Sequence, residues 1–390
     1  MNGNPKTGGR DGFTLVELMI ALLISVFLIA AVSTLYAQLY RQYKQQSRAA
    51  GTDIGSALGL NYLKNDIQAA GYGLPWSTIS PVSYNEYIGN SPVARNADDS
   101  PGNPPRAIVP VAGGANGTNA FGDYLVIKSQ SAAVNDTAAG KSTTLPTSGV
   151  PNPWTTGWAQ ANCANDPENL CPSDRVVVLS NLDKSPTLVY ANNSYSPMYD
   201  DPPGNLALYA SITNTTNMVY GVASAADAPN GLEMPFHRTD YFIAAGAQND
   251  WDNQNVLVPK RCAPGTGELV KAVVNQSDGK FTYYPILDCA ATMKVNFMRA
   301  NGALADANAV SADNTAALVR QDVRQVRVFI LAQEGQMDPS YTSGPIWLGD
   351  CASPPVASGI CTSYPLAADQ LHYRWKAYTV IEKPFNLGAQ

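Results

Sequence analysis

The stretch "GRDGFTLVELMIALLISVFLIAA", Gly9 to Ala31, decides how the rest of the chain is read. From Phe13 to Ala37 run 25 residues, and Glu17 alone among them is charged. As a helix, such a run is long enough to span a bilayer. An ionisable residue inside an apolar span is expensive, so it needs a partner and a purpose. The nearest cations in sequence are Arg10, in the polar stretch before the run, and Arg41, about six helical turns beyond Glu17.

Three readings of this stretch compete. A secretory signal peptide would place a small-residue cleavage site at Ala31-Val32-Ser33, but the apolar run is too long for one and a carboxylate at its start is out of place. A plain membrane anchor fits the length yet leaves Glu17 unexplained. Lys6 and Arg10 before the span, with Arg41, Lys44 and Arg48 after it, give no clear orientation. In the third reading the chain is cut between Gly12 and Phe13. A new α-amine then appears four residues before Glu17, on the same helix face and at the positive end of the helix dipole. Glu17 gains a partner, in its own chain or in a neighbour packed alongside, and a paired buried charge is tolerable where a lone one is not.

The bulk numbers bound the rest. The chain has 390 residues with 25 Lys and Arg against 31 acids, and a leader of residues 1–12 removes two cations and one acid. The resulting charge near -7 argues against a nucleic-acid groove. Twenty tyrosines, 28 prolines and 31 glycines suit a β-rich domain with many turns. The six cysteines, Cys163, Cys171, Cys262, Cys289, Cys351 and Cys361, all lie far beyond the apolar run. An even number on a translocated segment reads as disulfides in an oxidising compartment. Local pairing (163–171, 262–289, 351–361) is the expectation, with free buried thiols as the alternative. Zinc is not expected, because no CxxC occurs and the histidines are only His237 and His372.

At Gly12 to Leu23 the residues resemble the class III signal of type IV prepilins: a short polar leader ending in Gly, then Phe-Thr-Leu-Val-Glu-Leu. The resemblance implies cleavage after Gly12 by prepilin peptidase, N-methylation of Phe13, and a role for Glu17 in docking the subunit into a filament. A second resemblance lies in "LKNDIQAAGYG", Leu63 to Gly73, similar to the helix end of PilW-type minor pilins, with Gln68 where arginine is common in that family. It implies a minor pilin at or near the tip of a type IV pilus, helping to prime assembly for adhesion or motility. Partners implied are other minor and major pilins, the inner-membrane assembly platform, the peptidase and a tip adhesin. The subunit would wait in the bacterial inner membrane as a single pass with a periplasmic C-terminal domain before joining the extracellular pilus. The alternatives are a GspJ-like pseudopilin of type II secretion, a membrane-anchored periplasmic binding module or secreted hydrolase, and a DNA-uptake pilus subunit.

The expected fold class is α+β and pilin-like: a long N-terminal helix, membrane-spanning in its first half, packed on an antiparallel β-sheet domain with long loop insertions. Expected segments are a leader 1–12, an apolar half-helix 13–37, an amphipathic half-helix 38–73 and a globular domain 74–390. No proline occurs from Phe13 to Leu74. The rod to Ala70 would be some 85 Å at about 1.5 Å per residue. Ile54, Leu58, Leu63, Ile67 and Ala70 form an amphipathic stripe. Gly51, Gly55 and Gly59 read either as a ridge for another helix or as a weak spot.

Strands are expected at 123–129, 175–180, 187–191, 218–223, 240–245, 281–287, 293–300, 323–332 and 371–382. In the last, Tyr373, Trp375, Ala377, Thr379 and Ile381 should face the core and His372, Arg374, Lys376 and Glu382 the solvent. Residues 74–122, 130–174 and 192–217 read as surface insertions.

Little suggests chemistry, and no enzyme activity or cofactor is expected. "HRTD", His237 to Asp240, reads as a polar strand edge. Asp250 and Asp252, with Gln254 and Asn255, offer a weak calcium loop that lacks the EF-hand glycine and distal Glu. Acid pairs in "YDD", Tyr199 to Asp201, and "ADDS", Ala97 to Ser100, lie in proline-flanked loops.

Overall fold

With no proline to interrupt it, helix α1 runs Leu15–Ala69. The computed structural model describes residues 14–77, 82–99, 102–113, 121–133, 138–149, 169–180, 185–199, 206–211, 215–245 and 256–388. The chain divides into two compact units, Met1–Asp53 and Ile54–Gln390.

In the second unit the last turns of α1 lie on a sheet. Leu63, Ile67 and Ala70 are fully buried, as the stripe requires, but Leu58 is 66% exposed. The helix comes so close to the sheet at Gly59 that a Cβ there would stand 2.2 Å from the Ile286 carbonyl oxygen. This glycine serves contact with the chain's own domain, which neither sequence reading of the ridge anticipated. Gly71 takes φ +84, the left-handed conformation that ends helices. Its N–H donates to the Lys128 carbonyl at 3.0 Å, passing the chain from helix to sheet.

The strands in order are β1 (Ile108–Val111), β2 (Tyr124–Ser129), β3 (Ser142–Leu145), β4 (Arg175–Ser180), β5 (Thr187–Leu188), β6 (Asn217–Ala223) and β7 (His237–Ala244). Then come β8 (Gly267–Val274), β9 (Phe281–Arg299), β10 (Leu304–Asp306), β11 (Val323–Glu334), β12 (Ile346–Gly349), β13 (Cys361–Tyr364) and β14 (Arg374–Glu382). Short helices α2 (Pro92–Asn96), α3 (Ala307–Ser311) and α4 (Ala316–Asp322) sit in connections. The main sheet runs β1-β2-β7-β8-β9-β11-β14, with β10 beside β9. A four-stranded sheet runs β3-β6-β4-β5, and β12-β13 is a hairpin. Among the described residues, all pairings between these strands are antiparallel.

Several sequence expectations are corrected. The two strands expected at 281–287 and 293–300 are one continuous β9 of 19 residues. Strand β8 is missing from the expected set, because Glu268 and Lys271 break its apolar run. All eight of its residues are nevertheless buried, Lys271 because it meets an acid from the helix. The faces of β14 are reversed with respect to the main core, while Trp375 packs as expected, on a small cluster with Phe329, Leu331 and Leu348. Val380 is buried and Tyr378 packs on the core, whereas Ile381 is 39% exposed. α1 covers the side carrying Glu382, which binds Lys64 at 3.1 Å and the Gln68 amide at 2.7 Å. The segments read as surface insertions contribute to the interior: Tyr84, Tyr87 and Val93 all join the main core.

An aromatic series crosses that core, with Tyr124 stacked on Phe242 at 4.9 Å and Tyr87 on Phe281 at 4.5 Å. Disulfides join Cys262 to Cys289 and Cys351 to Cys361. The first ties the approach to β8 onto β9, and the second closes the β12–β13 hairpin. Cys171 is also disulfide-bonded, and Cys163 lies outside the described residues.

Candidate functional site

The first turn of α1 shows how the chain accommodates its lone carboxylate. Thr14 precedes the helix, and its backbone N–H and its hydroxyl each donate to Glu17 Oε2 at 3.1 Å. In return the Glu17 N–H donates to Thr14 Oγ1 at 3.3 Å. This is a capping box, in which a Thr and a Glu three residues apart satisfy two of the orphan donors at a helix start. A carboxylate here also opposes the positive end of the helix dipole. The T-x-x-E pattern was legible in the sequence, where Glu17 was weighed only against an α-amine. Gly12 and Phe13 lie outside the described residues.

From Leu15 to Tyr36 the helix is long and apolar enough to cross a membrane, and none of that span is buried within the chain. Apolar side chains surround it, with Leu15 77% and Phe27 69% exposed. Two of its hydroxyls are satisfied internally: Ser25 donates to the Ala21 carbonyl at 2.7 Å and Thr34 to that of Ala31 at 2.8 Å. Tyr36 and Tyr40 stack at 6.3 Å one turn apart, where the run gives way to polar sequence. Such a surface is stable only in lipid or against other apolar helices.

At its other end α1 is anchored by Asp66, which lies on the buried face among Leu63, Ile67 and Ala70. Lys271 Nζ of β8 stands 2.6 Å from Asp66 Oδ2, and the Tyr241 hydroxyl of β7 donates to the same oxygen at 2.6 Å. Burial outweighs the attraction of Lys271 and holds this carboxyl above its ordinary value. The helix-end sequence read as a family mark therefore works as a bolt between helix and sheet.

The candidate chemistry dissolves into structure. "HRTD" is no strand edge: it lies on β7, between β2 and β8, and all four residues are buried. The His237 Nε2 faces the Val222 carbonyl, and burial pushes the ring down to about 4, so it is neutral at pH 7. Arg238 is fully buried and binds both oxygens of Asp240 at 2.8 Å, with Glu86, Asp98 and the Ala94 carbonyl as further partners. Lys128 binds Glu86 and Asp99 at 2.6 Å each. The acids of "ADDS" are thus counter-ions for buried cations. Among the described residues no group of three or more His, Cys, Asp or Glu is placed to hold a metal. The calcium candidates Asp250 and Asp252 lie outside the described residues, as do Asp200 and Asp201 of "YDD".

Comparison with known proteins bears on the helix start. No curated protein and no solved structure matches the chain. One protein family does match, over residues 9–33: the prokaryotic N-terminal methylation motif. It implies pilin-system partners in general, such as prepilin peptidase and other pilins, and is consistent with membrane anchoring and incorporation into a pilus. The motif suggests a structural protein and supports a type IV pilin-like prepilin signal at the start of this chain.

Proposed function

We propose that the chain is a PilW-like minor pilin of a type IV pilus, built in at or near the filament tip and helping to prime assembly for adhesion or motility. The observation that carries this reading is an apolar helix, exposed on all sides, that begins at Leu15 inside the methylation motif and carries Glu17 in its first turn. Residues 1–12 act as the leader, with cleavage after Gly12 and methylation of Phe13. Residues 13–37 form the span and later the filament core, 38–73 the amphipathic half-helix, and 74–390 the periplasmic domain. Before assembly the capping box holds the carboxylate in the first turn. In the filament Glu17 meets the Phe13 amine of a neighbouring subunit, a pair that tolerates apolar surroundings only when both charges are present. Paired cysteines suit a domain on the oxidising side of the membrane. A GspJ-like pseudopilin of type II secretion is the second reading, since it would use the same helix start.

N-terminal mass spectrometry of the membrane-extracted chain tests this, on wild type and Glu17→Ala. The expected peptide begins at methylated Phe13 in both, with Glu17→Ala absent from sheared filaments. An N-terminus near Thr34, or an uncut Met1, refutes the reading. Appearance in a secretion pseudopilus rather than in surface pili selects the second.

A further inference from the structure

A pocket of about 810 Å³ opens in the globular unit between the segment that follows α1 and helix α4. That volume suits a small ligand. Trp76, Asn314, Arg320, Gln321, Arg324 and Asn386 line it, together with Arg106 and the acids Asp98 and Asp99. The acids are already committed, Asp98 to Arg238 and Asp99 to Arg106 and Lys128.

Two arginines are not so matched. Arg320 is only 8% exposed. It donates to the Pro75 carbonyl at 2.8 Å, and its guanidinium lies 5.0 Å from the Trp76 ring centroid. It has no acidic partner among the described residues. Burial lowers its affinity for the proton, to a pKa of about 10. Arg324 reaches the Val323 carbonyl at 3.5 Å and likewise has no acidic partner among the described residues. With the cluster behind the pocket, and among the described residues, five cations (Arg106, Lys128, Arg238, Arg320, Arg324) stand against four acids (Glu86, Asp98, Asp99, Asp240). A largely buried cation without a counter-ion is unfavourable, and the planar guanidinium fork fits a carboxylate.

The other lining groups narrow the ligand. Side-chain amides offer a donor and an acceptor each, the pattern that adjacent hydroxyls match. An indole offers a flat apolar surface with a polar edge. An excess of one positive charge suits a monoanion better than a phosphate ester carrying nearly two negative charges. An acidic peptide would call for a run of uncommitted cations, whereas here Arg320 and Arg324 stand beside side-chain amides. We propose that the pocket binds a carboxylated saccharide, with its carboxylate on Arg320 and Arg324, its hydroxyls on Asn314, Gln321 and Asn386, and its ring against Trp76.

The proposal does not rest on the filament reading and is tested on the detergent-solubilised full chain by calorimetry. Methyl glucuronide is the probe, with methyl glucoside, triglutamate and inorganic phosphate as comparisons. Methyl glucuronide is expected to bind saturably, and methyl glucoside at least tenfold more weakly. Arg320→Gln also removes the bond to Pro75, so Arg324→Gln is the informative variant. It should weaken methyl glucuronide at least tenfold with the unfolding temperature unchanged. Equal affinity for glucoside and glucuronide overturns the proposal, as does an unaffected Arg324→Gln. Tighter binding of triglutamate would assign the pocket to a protein partner, and tighter phosphate to a phosphorylated ligand. Binding that emerges only after deletion of residues 389–390 would make it a site for those residues. Each of these three outcomes also overturns the proposal.

Discussion

Replacing Asp66 by Ala tests how the helix is held to the sheet. The change leaves the Lys271 ammonium, which is 3% exposed at its side chain, without its counter-ion. It also leaves the Tyr241 hydroxyl, fully buried, without its acceptor. Breaking a buried pair by removing one partner costs about 3–5 kcal/mol. An orphaned buried hydroxyl adds about 1–3 kcal/mol. Relaxation and entry of water offset part of this sum, so a loss of about 4 kcal/mol is expected. In a unit of this size that corresponds to roughly 6 °C in unfolding temperature. The assay is thermal and urea unfolding of the full chain in detergent, followed by near-UV circular dichroism and tyrosine fluorescence. The companion variant Asp66→Leu with Lys271→Met replaces both charges by apolar groups and should recover most of the loss, because no charge is then stranded. A single-variant loss below about 1 kcal/mol, or a double variant no better than the single, would refute the view that Asp66 and Lys271 are a mutually dependent bolt.

Two further variants probe the same unit. Gly59→Val should destabilise it by at least about 2 kcal/mol, because the new side chain meets the Ile286 backbone, which has no room to retreat. Urea midpoints measure this, and Gly59→Ala should fall between wild type and Val. Glu268 carries a pH prediction: burial first, then the Asp288 carboxylate beside it, pushes its pKa up to about 7. The folded chain therefore holds a proton that the unfolded chain releases from about pH 4.5, and stability falls as pH rises through that window to about 7. Glu268→Gln should abolish this fall, matching wild type near pH 4 and exceeding it at pH 7.5. Parallel unfolding profiles for the two proteins across that range would contradict it.

How much of this was legible beforehand depended on how local the cause was. Helix α1 could be read because its apolar run, lack of proline and terminal glycines act within a few residues. Strand β4 could be read because its unbroken run of valines needs no partner to announce itself, and β11 because its apolar stretch from Val328 to Ala332 outweighs the charges before it. Strand β8 escaped notice because Lys271 looks like a surface residue until Asp66, far away in the chain, neutralises it. The faces of β14 were assigned backwards because alternation shows that two faces differ, not which of them the helix covers. "HRTD" read as an edge for the same reason. Its polar groups are buried only because Glu86 and Asp98, from a segment mistaken for surface decoration, bring the matching charges to β7.

The amino-acid sequence alone therefore settled the N-terminal element and the candidate processing signal. Hydrophobicity, a single carboxylate and the spacing of Thr14 and Glu17 are properties of a continuous stretch, and a lipid or helix-packed fate follows from composition. Only the tertiary structure decided what Asp66 binds, why Gly59 must be small, and that Arg320 and Arg324 share a pocket without acids of their own among the described residues. Those facts are pairings between residues distant in the chain. Burial raises the energetic stake of each pairing, and nothing in a linear sequence states which charge will meet which.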